Sequence, residues 1–249
     1  VTAPVLRGSG LAQSFGQRTL YQDVTFEVAG GEVFVILGGS GCGKTTLLRQ
    51  CIGLLAPTAG SVELLGEDIY AAEAPARDAV LRRIGVMFQS GALFGSMTLL
   101  ENVMLPLEVH TDLPPSARSR IARLKLGLVG LADAAARLPA EISGGMVKRA
   151  AIARALALDP PLLFLDEPSA GLDPVTSAGL DRLILDLRRD LSLTFVVVTH
   201  ELASILAIAD RCLMLDHEAQ GVIATGDPRR LRDESEDPKV RAFFRREAA

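Results

Sequence analysis

One eight-residue stretch constrains this chain more than any other. Gly38-Gly39-Ser40-Gly41-Cys42-Gly43-Lys44-Thr45 follows Val33–Leu37 (VFVIL), an apolar run of the kind that forms a strand buried on both faces. It leads into Thr45–Leu55, whose spacing predicts a helix stopped at Ala56-Pro57. G-x-x-x-x-G-K-[ST] between a strand and a helix is a phosphate-binding loop. Its glycines let the backbone curl so that N–H groups point at a polyphosphate, and the helix N-terminus adds partial positive charge. Lys44 neutralises β- and γ-oxygens. The Thr45 hydroxyl suits Mg²⁺, a hard cation that prefers oxygen ligands. The motif implies a nucleoside triphosphate and leaves open what its energy drives.

Strands and helices alternate on either side of it. Strands are expected at 20–29, 60–65, 84–88, 162–165, 194–198 and 211–215, with a helix at 177–189. Buried strands separated by helices predict an α/β core built on a parallel sheet. Between 98 and 158 strand signals vanish. Ser116–Leu126 repeats basic and apolar faces, and 150–158 reads as a helix ending before Asp159-Pro160. The expected organisation is therefore one domain. Residues 1–88 and 159–227 form the nucleotide-binding core, 89–158 a helical insertion, and 228–249 a charged tail carrying Phe243-Phe244. That tail is either a frayed end or a dimer contact.

With 26 basic and 30 acidic side chains the net charge is −4, and there is no Trp, so nothing suggests a nucleic-acid partner. Cys42, Cys51 and Cys212 lack metal-ligand spacing and read as buried free thiols of a reducing compartment. Residues 1–20 hold no apolar run of a signal peptide. The longest uncharged stretch, 84–100, carries Gln89, Ser90, Ser96, Thr98 and three glycines, too polar to span a bilayer.

Two further patterns complete a catalytic set. Asp166-Glu167 closes the LLFL strand, where one carboxylate can hold the Mg²⁺ shell through water and the next can act as general base on an attacking water. The single asparagine, Asn102, excludes an Asn-Lys-x-Asp guanine-reading motif. His200 follows the TFVVV strand, at the strand end where open α/β sheets gather ligands. His110 and His217 lack that context and are read as surface residues. Ser143-Gly144-Gly145-Met146 opens a helix with Ser143 as N-cap, a second anion site about 100 residues after the first. Two such sites in one small domain make sense if each chain completes another chain's pocket, which implies an isologous dimer.

These motifs, in this order over roughly residues 11–226, resemble the nucleotide-binding subunits of ABC transporters. The phosphate loop resembles Walker A and LLFLDE (162–167) Walker B. ISGGM (142–146) is similar to the LSGGQ signature, Gln89 to the Q-loop, Ser169–Asp173 to the D-loop and His200 to the switch histidine. The resemblance implies an α/β P-loop NTPase with a RecA-like parallel-sheet core, N-terminal antiparallel β elements and a helical subdomain. It implies catalysis by Glu167, His200 and Gln89, and Mg²⁺ held by Thr45, Gln89 and Asp166. It places ATP against Phe15, residues 38–45, Thr46, Gln89, Asp166, Asp173 and His200, with Ser143, Gly144, Gly145 and Met146 on the opposite chain. An integral-membrane permease and a peripheral place on the cytoplasmic face of the inner membrane follow. Met146 in place of Gln, FQSGALFGSMTLLENV (88–103) and DPKVRAFF (237–244) resemble the ATPases of Mla-type systems, which work with MCE-type lipid-binding proteins and move phospholipids. A generic importer or exporter ATPase, and a soluble ABC ATPase of iron–sulfur cluster assembly, are the alternative readings.

Overall fold

The computed structural model describes residues 3–245. The chain opens with β1 (Leu6–Phe15) and β2 (Arg18–Val28), then enters the buried β3 (Val33–Gly38) and α1 (Lys44–Cys51). Next come β4 (Ala59–Leu64), β5 (Glu67–Asp68), α2 (Ala74–Leu81) and β6 (Ile84–Met87). Three long helices follow: α3 (Leu99–His110), α4 (Pro115–Leu128) and α5 (Gly144–Ala155). The α/β pattern resumes with β7 (Leu162–Asp166), α6 (Pro174–Leu191), β8 (Thr194–Val198) and α7 (Leu202–Ile208). The strands end with β9 (Arg211–Asp216) and β10 (Gly221–Gly226), and the described chain ends with α8 (Pro228–Glu234) and α9 (Pro238–Arg245).

Two sheets result. One is antiparallel, in the order β2-β1-β4-β5. The other runs β10-β9-β3-β8-β7-β6, parallel throughout except for β10 at its edge. Every residue of β3, β7 and β8 is buried, as their unbroken apolar sequences require. Alternation across the pleat divides the interior. Val33, Val35, Leu37, Leu163, Leu165, Phe195 and Val197 face the layer containing α5 and α6. Phe34, Ile36, Phe164, Val196 and Val198 face α1 and the antiparallel sheet, where Phe26 stacks on Phe34 at 5.7 Å. The parallel strands bring Gly38, Asp166 and the residues after Val198 to one edge of the sheet.

Between β6 and β7 the chain is helical, and α3 is well anchored. Thr98 caps α3 in a reciprocal box with Glu101. The fully buried Asn102 accepts from the Phe94 N–H (2.8 Å) and donates to the carbonyls of Phe94, Met97 and Thr98. That one amide braces the loop that follows Gln89.

Several boundaries differ from expectation. The helix after the phosphate loop stops at Cys51 rather than 55, because Gly53 takes a left-handed φ of 76° and ends it. The helix expected at 150–158 begins at Gly144, capped by Ser143. The one expected at 177–189 begins at Pro174, capped by Asp173. In α4 Leu124 is exposed rather than on a buried apolar face. β1, α2, α7 and β10 arise where no element was read, from short or glycine-broken segments. Residues 228–245 are not frayed: Val240 and Phe244 are buried in the main core, and Lys239 bridges Asp216 and Glu218 at 2.7 Å each. Residues 246–249 of the expected tail lie outside the described residues. Cys42, Cys51 and Cys212 are buried free thiols; burial pushes Cys51 up to about 12. Among the described residues no helix is long and apolar enough to cross a membrane.

Candidate functional site

The phosphate loop begins where β3 runs out. Gly38 has φ 144°, and a Cβ there would lie 2.2 Å from the Leu215 carbonyl oxygen. Gly43, at φ 103°, would drive a Cβ to 2.8 Å from the Tyr21 ring. No other residue fits either position, so the chain must turn tightly here. Gly43 also caps α1 without a side-chain bond, and the first backbone bond of the helix is Leu47 N–H to Gly43. The N–H groups of the first turn are thus open to an anion. Lys44 Nζ bends back to donate to the carbonyls of Gly38 and Gly39, 2.9 Å each, holding the ammonium over the loop. The Cys42 side chain turns inward and is buried, so it contributes only backbone.

The loop floors a cleft of about 850 Å³. Its lining comprises Gly38, Gly39, Ser40, Gly41, Gly43, Lys44, Thr45 and Thr46, with Gln89, Glu167 and His200 above them. Sequence reading had named each of these. It missed Leu20 and Phe243, which also line the cleft. Phe243 reaches it because α9 folds back onto the core, an arrangement that the local sequence signals only as an apolar pair among charges.

Of the two adjacent carboxylates Glu167 lines the cleft, whereas Asp166, expected there from sequence, lies just behind its lining. Asp166 ends β7, buried, with Oδ1 unpartnered. Desolvation, then the neighbouring Glu167, raises its pKa, while Arg49, the Thr45 hydroxyl and Lys44 pull it back. An orphaned carboxylate oxygen beside a hydroxyl suits a hydrated divalent cation, so Thr45 and Asp166 fit Mg²⁺, with Gln89 exposed on the same cleft. Among the described residues no group of three or more His, Cys, Asp or Glu side chains forms a metal cluster. An ion here would take the rest of its shell from phosphate and water.

Glu167 sits at a left-handed φ of 46°, uncommon outside glycine, and its N–H is fixed to the Val198 carbonyl at 2.8 Å. Its Oε1 lies 2.8 Å from His200 Nδ1, whereas Oε2 is buried and unpartnered. Against an ionised carboxylate the imidazole nitrogen is the donor. One oxygen is thereby oriented and the other left free to accept.

The remaining residues named from sequence do not line this cleft. Phe15 ends β1 and is 55% exposed, as a stacking platform requires and a core residue would not be. Ser143 accepts from the Met146 N–H (3.3 Å), and Ser143 and Gly144 stand exposed at the head of α5. Gly145 is buried; a Cβ there would lie 2.5 Å from Thr176 Cγ2. Its missing side chain makes room for Thr176, whose hydroxyl donates to Asp173, the cap of α6. His110 and His217 are exposed and away from the cleft, His217 beside Arg18.

Residues 21–170 match the sequence pattern of the ABC transporter family. This chain belongs to that family. Among ABC transporter proteins, the intermembrane phospholipid transport system ATP-binding protein MlaF of Escherichia coli (strain K12) is 41% identical over 229 residues, covering 92% of this chain and 84% of that protein. The probable ribonucleotide transport ATP-binding protein mkl of Mycobacterium tuberculosis (strain ATCC 25618 / H37Rv) is 42% identical over 236 residues. The match covers 95% of this chain but spans only 65% of the length of mkl. Of solved structures, cbiO1 of Clostridium perfringens, part of the ABC transporter complex cbiONQ, superposes with a TM-score of 0.85 at 26% identity, covering 94% of this chain and 92% of that one. The ATP-binding cassette MJ0796, in a dimeric post-hydrolysis state bound to ADP and phosphate, does so with a TM-score of 0.79 at 29% identity, covering 89% and 98%. The ABC fold expected from sequence is therefore present.

Proposed function

We propose that this chain is the ATP-hydrolysing motor subunit of a membrane transporter that moves phospholipids, working as a homodimer on the cytoplasmic face of the inner membrane. The observation that carries the enzymatic part is the meeting of Lys44, Thr45, Glu167 and His200 in one cleft. ATP enters with its phosphates on the N-terminus of α1. Lys44 exchanges its bonds to Gly38 and Gly39 for phosphate oxygens. Thr45 and Asp166, with Gln89, would hold Mg²⁺, which neutralises charge on the phosphates when bound. Glu167 accepts a proton from water aligned on the γ-phosphate, and His200, 2.8 Å from Oε1, orients that carboxylate.

Ser143 and Gly144 face outward on the same chain, so they are available to a second copy's nucleotide. A pair of chains closing on two ATP molecules, and reopening after hydrolysis, is the motor stroke. The dimeric cassette structures of MJ0796 support this arrangement. Gln89, at the entrance to the helical insertion, is placed to pass the stroke to a permease helix. The similarity to MlaF supports phospholipid cargo, and the resemblance of Met146 and residues 88–103 to Mla-type ATPases adds an MCE-type lipid-binding protein to the proposed complex.

A second reading of the cargo comes from mkl, whose name points to ribonucleotides. Reconstitution of the chain with the integral-membrane partner that co-purifies with it separates the two. ATP-dependent movement of fluorescent phospholipid between vesicles supports the first reading, and uptake of labelled ribonucleotide supports the second. A soluble iron–sulfur scaffold as the sole co-purifying partner would remove the transport reading.

A further inference from the structure

Lys148 is a buried cation that the site as described does not use. It lies on α5, just past the exposed Ser143 and Gly144, and only 7% of it is exposed. Its ammonium donates to two main-chain carbonyls from different strand ends: that of Gln89 after β6, and that of Glu167 after β7 at 3.4 Å. Burial costs this ammonium more than the nearby Glu167 and Asp166 carboxylates return, lowering its pKa, and the two carbonyls that accept from it are what hold it in place. The same helix grips the Gln89 loop again with Arg154, which donates to the carbonyls of Gly91 (2.9 Å) and Ala92 (2.7 Å).

The Glu167 contact acts on a strained residue. Glu167 holds a left-handed φ of 46°, and its carboxylate geometry depends on that backbone. A donor at its carbonyl and the Val198 acceptor at its N–H clamp both sides of the residue.

We propose that Lys148 is a positioning residue: it ties the helix whose head faces the partner's nucleotide to the general base and to Gln89 of its own chain. This rests on the dimeric ATPase reading given above and deepens it. A shift of α5 as its N-terminus meets a nucleotide pulls on the Glu167 and Gln89 backbones through one ammonium group. The base of one site is thus set by the engagement of the other.

Mixed dimers of the full chain, assembled on ATP from differently tagged copies, test this. One chain in each dimer carries Glu167→Gln, leaving a single working base. In the first arrangement Lys148→Met lies in that same chain, so the working Glu167 keeps its lysine. In the second Lys148→Met lies in the other chain, beside the working Glu167. Lys148 as proposed makes the second arrangement slower by roughly 10–100-fold, the order expected when a reacting group is displaced by about 1 Å. ATP affinity of the separate monomers stays unchanged, and Lys148→Arg, which keeps charge and donors, restores most of the rate. Equal rates in the two arrangements overturn the proposal. Should Lys148→Met fail to fold, Lys148→Gln, a shorter neutral donor, takes its place with the same outcomes. If the dimer carrying only Glu167→Gln does not assemble on ATP, it is the dimeric reading beneath that falls.

Discussion

Replacing Glu167 with Gln tests the chemistry assigned to the cleft most directly. The substitution keeps size and shape. A carboxamide oxygen can still accept from His200 Nδ1, which now lies 2.8 Å from Oε1. The Val198 bond at 2.8 Å and the Lys148 donation are main-chain contacts and remain. Among the described residues Glu167 makes no hydrogen bond to the phosphate loop, so ATP affinity is expected to change little. What disappears is the basicity of the buried, unpartnered Oε2. Loss of a positioned general base costs roughly 10²–10⁴ in rate. At 1.36 kcal/mol per decade that is about 2.7–5.4 kcal/mol of barrier. Phosphate release at saturating ATP and Mg²⁺ measures the rate, and light scattering measures mass. The variant is expected to turn over slowly and to persist as an ATP-bound dimer. Turnover near wild type would refute Glu167 as the base. Normal folding with lost ATP binding would refute the separation of binding from chemistry.

The other perturbations follow from burial and packing. Asp166→Asn is expected to raise the melting temperature of the nucleotide-free protein. Burial, then the neighbouring Glu167, raises the Asp166 pKa in the folded chain, so above both pKa values folding carries a charge into a poorly solvated place. The gain, about 0.5–2 kcal/mol, is full above the raised folded value and fades as pH falls through the folded and then the unfolded value. The same variant should lose the extra stabilisation that Mg²⁺ adds to ATP; melting curves with and without Mg²⁺ check both. Phe244→Ala removes a ring only 4% exposed and should cost about 3–5 kcal/mol in denaturant unfolding. Phe243→Ala, on the cleft side of α9, should instead weaken nucleotide binding measured by calorimetry. Gly144→Val meets nothing closer than Leu172 Cδ2, 3.8 Å from a built Cβ, and should leave melting and monomer ATP binding intact while hydrolysis collapses. Gly145→Val meets Thr176 at 2.5 Å and should destabilise the fold by about 1–3 kcal/mol as well. Equal melting of the two variants would contradict the packing described.

Most of the cleft could be read before any coordinates. The loop 38–45 announces its own geometry, because Gly38 and Gly43 occupy backbone positions closed to other residues. Asp166, Glu167 and His200 were legible because each stands at the end of a short apolar or β-branched run that reads as a buried strand. Phe15 was legible more weakly; its exposure removes the reading of a buried core ring and leaves the platform as an expectation. What sequence could not supply was the role of Gly145, whose burial depends on a threonine 31 positions later. Nor could it supply Lys148, whose burial no local pattern signals. Its partners are main-chain carbonyls 59 and 19 residues away.

By itself, then, the sequence determined the phosphate loop, the buried strands and the chemical types at their ends, since backbone sterics and hydrophobic periodicity act locally. The tertiary structure decided which strand ends share an edge, that α9 folds back to bring Phe243 to the cleft, and which carbonyls Lys148 holds. Those depend on strand order and helix docking, which are set by contacts between residues far apart in the chain. No local pattern encodes them.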